Sequence, residues 1–83
     1  MEKSIVSPEY GVLLDLLRRT RAKTGLTQVE LANLIGETQS RVSKIERGEL
    51  RLDVIQLRSI CLAMGVDWLT FLRTFESELE KLR

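Results

Sequence analysis

The sequence predicts an all-α fold of five helices, and three observations carry that expectation. Apolar residues recur at spacings of three and four through most of the chain. Glycine and proline are sparse, five and one in 83 residues, and aromatic residues are few. A Ser, Thr or Asp able to cap a helix stands at each expected helix start: Ser7, Thr27, Thr38, Asp53 and Asp67.

Taken in order, residues 1–6 show no clear pattern and are expected to form a loose arm. Ser7-Pro8-Glu9 is a helix start, with Ser7 as N-cap and Pro8 in the first helical position, where its missing N–H costs nothing. This first helix should run to about Lys23, with Leu13, Leu16, Leu17 and Thr20 inward, although the run VLLDLL leaves its rotation open. Gly25 is suited to the left-handed cap that ends it, and Leu26 should plug the core. The second helix is expected over Gln28 to Ile35. Thr27 and Glu30 form its capping box, and Leu31, Ala32 and Ile35 form its inner face. Gly36 ends it, and Thr38 caps a third helix from Gln39 to Arg47, with Val42 and Ile45 inward and Gly48 at its end. Glu49 to Leu52 is a loop. Asp53 caps a fourth helix, Val54 to Met64, with Val54, Leu57, Ile60, Cys61 and Met64 inward. Past Gly65 and Val66, Asp67 caps a fifth helix reaching about Leu82, on which Leu69 and Leu72 should complete the core.

The stretch QVELANLIGETQSRVSKIERG, Gln28 to Gly48, places two short helices at a fixed angle around a glycine corner. Ala32 is small where the two axes must approach, and this is what a helix-turn-helix requires. With the preceding GLT, the pattern TQVELA followed by TQSRVSKIERGE resembles the Cro/repressor-type, or XRE, helix-turn-helix family from about Leu17 to about Leu69. The resemblance implies a five-helix Cro/repressor-like DNA-binding domain with an extended C-terminal helix. One position departs from the family's pattern: the residue after Gly36, commonly apolar there, is Glu37, which suggests a slightly longer and more solvated turn.

Length and composition are consistent with that reading. Eighty-three residues hold one core, so 1–83 is expected to be a single domain with its core at about 8–72 and a helical extension over 73–83. A core of this size is marginal, so tight packing or oligomerisation should help. One Cys and no His leave no disulfide framework and no zinc site; Cys61, within the apolar run ICLAM, should behave as a small buried hydrophobe. No catalytic constellation or Gly-rich phosphate loop is present, so an enzyme is the least favoured class, and no cofactor is expected. No apolar run spans a membrane and no signal peptide is evident, so a cytoplasmic location is expected. The formal net charge is +1, but it is unevenly spread. Residues 18–51 carry eight basic and four acidic side chains, a balance of +4, while the segments before and after stand at −2 and −1. The positive charge thus sits on the motif, as in a domain that turns one face to phosphates.

A helix fits the major groove, and its N-terminal side chains reach base edges. On a third helix starting at Gln39, the outward positions include Gln39, Ser40, Ser43, Lys44 and Arg47. Gln39 offers a paired donor and acceptor to adenine, Lys44 donates to guanine, and Ser40 and Ser43 are adaptable. The family's base-reading positions match Gln39, Ser40 and Lys44. Gln28, at the N-terminus of the second helix, matches the family's phosphate-contacting glutamine, where free amides and the helix dipole favour an anion. Arg18, Arg21, Arg41, Arg47 and Arg51 are the other candidate phosphate contacts. The resemblance also implies an ion pair between Arg21 and Glu46 tying the first and third helices together.

The last helix carries an apolar stripe, Leu72, Phe75, Leu79 and Leu82, among charged residues. Such a seam suits packing on a copy of itself. The sequence therefore points to a transcriptional repressor that binds an inverted-repeat operator in double-stranded DNA as a homodimer. The alternative is an antitoxin or interaction module of the same fold whose main partner is another protein.

Overall fold

The computed structural model describes residues 7–82, and the arm expected over 1–6 lies outside them. Five helices follow one another: α1 Pro8–Thr24, α2 Gln28–Ile35, α3 Gln39–Glu46, α4 Val54–Met64 and α5 Trp68–Glu80. Each begins on the capping residue identified from sequence. Ser7, Thr27, Thr38, Asp53 and Asp67 accept from the backbone N–H three residues on, and Glu30 and Gln56 close reciprocal boxes in α2 and α4. The Thr70 backbone N–H, and then its hydroxyl, hold the Asp67 carboxyl below its ordinary range. The ends of α3 and α5 fall one and two residues short of the expected ones, within ordinary fraying.

The α2–α3 corner depends on Gly36, whose φ of 72° lies in the left-handed region closed to most side chains. There the Glu37 N–H bonds back to the Ala32 carbonyl at 2.9 Å. Only three residues separate the helices, so the turn is not lengthened by Glu37, whose carboxylate instead pairs with Arg41 at 3.2 Å.

The core gathers Leu13, Leu16 and Leu17 of α1, Leu31 and Ala32 of α2, Val42 of α3, Leu57, Ile60, Cys61 and Met64 of α4, and Phe71 of α5. Three expectations need correction. Val54 is 59% exposed although it stands only about 20° round the helix from buried Cys61, because it is the first residue of α4, two turns before Cys61. Leu69 is 54% exposed, and Phe71 takes the inward place on α5. The run WLTFLRTF fits more than one apolar stripe, and Glu78 reaching Arg19 of α1 at 2.6 Å goes with the rotation that turns Phe71 inward. Leu72 packs half-buried against the core as expected, but Phe75, expected on the outer stripe, does so too. Among the described residues no single helix is long and apolar enough to cross a membrane.

Candidate nucleic-acid interface

α3 packs on α1 and α2 through Val42 and Ile45, which are 2% and 4% exposed. With those two positions inward, helical geometry turns Gln39, Ser40, Ser43, Lys44 and Arg47 away from the packed side. Gln39, Ser40, Lys44 and Arg47 are exposed and Ser43 is half-buried. Ser40 and Lys44 make no side-chain hydrogen bond or ion pair with another described residue, so both are available to a ligand.

A polar chain runs from the protein interior to the first residue of this face. Glu46 is 2% exposed, the one buried charged residue among those described. Its Oε2 accepts from Arg21 Nε at 2.6 Å, and its Oε1 accepts from Arg21 Nη2 at 3.0 Å. Arg21 Nη1 donates to the Leu26 carbonyl at 3.0 Å. Glu46 Oε1 also accepts from Gln28 Nε2 at 2.9 Å, and Gln28 Oε1 accepts from Gln39 Nε2 at 2.7 Å. Arg21, Glu46, Gln28 and Gln39 are thus one connected set joining α1, α3 and α2. A buried carboxylate needs such partners, since an unpaired one is strongly unfavourable in low dielectric.

The candidate phosphate contacts separate into distinct situations. Arg21 is committed to Glu46 and Leu26, so its guanidinium is not free for phosphate. Arg18 donates to the Glu46 carbonyl, capping the C-terminal end of α3 with a cation. Arg47 donates to Ser43 Oγ at 2.6 Å and to Glu49 at 2.8 Å; the hydrogen bond to Glu49 raises its pKa and occupies part of its donor set. Arg41 lies on the exposed side of α3 beside Glu37. Arg51 stacks on the Tyr10 ring, 4.4 Å from its centroid, while the Tyr10 hydroxyl accepts from the Leu52 N–H at 2.9 Å. Tyr10 was not among the expected site residues. It anchors the loop after α3 and sets the position of Arg51, a role that only the fold reveals, because 42 residues separate it from Leu52.

A helix-turn-helix family model matches residues 17–71. Among solved structures, an XRE-family like protein from Pseudomonas syringae pv. tomato str. DC3000 is 44% identical, with a TM-score of 0.80 over 84% of this chain and 85% of that one. The clp gene regulator ClgR from C. glutamicum is 28% identical, with a TM-score of 0.75 over 87% of this chain and 94% of that one. The restriction-modification controller protein C.Esp1396I shares the fold, with a TM-score of 0.82 at 24% identity over 90% of this chain and 97% of that one. No curated protein sequence matches the chain.

Proposed function

The chain belongs to the Cro/XRE-type helix-turn-helix family of DNA-binding regulators, which is not a family of enzymes, and from that membership we propose a sequence-specific transcriptional repressor. In this reading α3 enters the major groove. Gln39, Ser40 and Lys44 meet base edges, with Ser43 beside them, and Gln28 and Arg41 hold flanking phosphates. Arg18, Arg47 and Arg51 contribute charge at the edges of that face. The observation that carries the reading is the exposed side of α3, where Lys44 and Ser40 are unengaged and Gln39 is held at a set position by Gln28. No second side chain holds Lys44, so it adapts to the guanine it meets.

The whole chain acts as one cytoplasmic domain, with 73–83 as its extension, and two copies read an inverted repeat. One α3 spans only a few base pairs, whereas a dimer reads two half-sites about 34–36 Å apart. The test is duplex DNA binding followed by fluorescence anisotropy across a salt series. Affinity that falls steeply and log-linearly with salt supports the reading, because phosphate contacts release counterions. No binding to duplex DNA at low salt, or binding indifferent to salt, contradicts it and leaves a protein partner as the ligand.

A further inference from the structure

We propose that Glu37 and Glu49 are specificity-determining residues: they mask the arginines of α3 and its C-cap and so hold down binding to non-target DNA. The inference rests on the DNA-reading function above and names what sharpens it. Glu37 stands in the turn before α3 and Glu49 in the loop after it. Glu37 Oε1 lies 3.2 Å from Arg41 Nε, and Glu49 Oε2 accepts from Arg47 Nε at 2.8 Å. All four side chains are exposed. Both carboxylates are mounted on fixed backbone: the Glu37 N–H bonds to the Ala32 carbonyl at 2.9 Å, and the Glu49 N–H to the Lys44 carbonyl at 2.8 Å. Lys44 is then the one cation of α3 and its C-cap without a carboxylate partner among the described residues.

Such masking acts unequally on the two modes of DNA binding. Non-specific binding is almost wholly electrostatic, and a loosely docked duplex meets the field of the whole face. A guanidinium with a carboxylate at its side adds little to that field, so Lys44 carries most of what α3 offers. In the seated complex, phosphate oxygens come within hydrogen-bonding distance, and the arginines have donors left to meet them. The Arg41 side chain makes no hydrogen bond with another described residue. Arg47 donates through Nε and Nη1, which leaves Nη2. An exposed ion pair is weak and screened by salt, so it yields to a phosphate seated in register. The two carboxylates therefore weaken non-target binding more than target binding, and specificity is the difference between the two.

Fluorescence anisotropy across a salt series tests this on two duplexes of equal length, one enriched from a randomised pool and a scrambled version of it. The proteins are the wild type, Glu37→Gln/Glu49→Gln, Arg41→Ala/Arg47→Ala and the four changes together, each checked for helical content by circular dichroism. The glutamine pair should bind the scrambled duplex about tenfold more tightly and the enriched one about twofold, and its log–log salt slope on the scrambled duplex should steepen by about 1–2. With the arginines already replaced, the glutamines should add no gain. Equal gains on both duplexes, no gain on the scrambled one, or a gain that survives loss of the arginines each overturns the masking and leaves α3 as a DNA reader. A wild type that binds both duplexes alike contradicts the DNA-reading function itself, and this inference with it.

Discussion

Gln28 and Gln39, eleven residues apart in sequence, are joined by a 2.7 Å hydrogen bond that ties the first residue of α2 to the first residue of α3. The other end of Gln28 rests on buried Glu46, so a side chain expected to meet phosphate also positions one expected to meet a base. Removing Gln28 should therefore do more than weaken binding uniformly. We predict that Gln28→Ala lowers affinity for all duplexes and also relaxes preference at the base pair read by Gln39. A double-mutant cycle with Gln39→Ala, measured as DNA affinity, should show coupling of about 1 kcal/mol. Strict additivity would mean the two glutamines act independently on DNA.

Lys44 stands alone on the same face, so its removal should read differently. Lys44→Ala should cost about 1–3 kcal/mol on the preferred duplex and much less on duplexes changed at its base pair. Competition titrations against single-base variants check this. A uniform loss across all of them would assign Lys44 to phosphate.

Glu46 holds three of the polar chain's contacts while almost wholly buried. Glu46→Ala leaves the Arg21 guanidinium, 18% exposed, without its carboxylate. We expect a stability loss of about 3 kcal/mol in urea unfolding, because a mostly buried charge is left unpaired. A variant as stable as the wild type would show that water replaces the carboxylate at little cost.

Much of this was legible in the sequence, for a local reason. Capping residues act on amides three positions away, so Ser7, Thr27, Thr38, Asp53 and Asp67 marked every helix start. What local pattern could not supply was rotation and long-range contact. In α5 the apolar run allowed Leu69 or Phe71 to face inward, and the fold chose Phe71, with Glu78 reaching Arg19 on α1. In α4 Val54 fitted the stripe by spacing yet stands exposed as the first residue of the helix. The links from Gln28 to Glu46 and from Tyr10 to Leu52 join residues 18 and 42 apart, and nothing in the spacing announces them.

Cys61 gives a pH prediction. Its side chain is fully buried, and burial pushes its thiol up to about 11. In the unfolded chain the same thiol ionises near about 8.5. The unfolded state therefore loses its proton first. The stability tied to this group is intact below about 8.5 and falls as pH rises toward the folded value. Urea unfolding at neutral and alkaline pH should show a shallower alkaline decline in Cys61→Ala than in the wild type. Equal slopes would show that Cys61 titrates alike in both states.

The central claim is that α3 reads a particular DNA sequence, and selection from a pool of randomised duplexes measures it most directly. The wild-type chain should enrich an inverted repeat whose half-site centres lie about 34–36 Å apart, one helical turn of DNA. Recovery of a pool indistinguishable from the starting one, at a salt concentration where the protein still binds duplex, would contradict it.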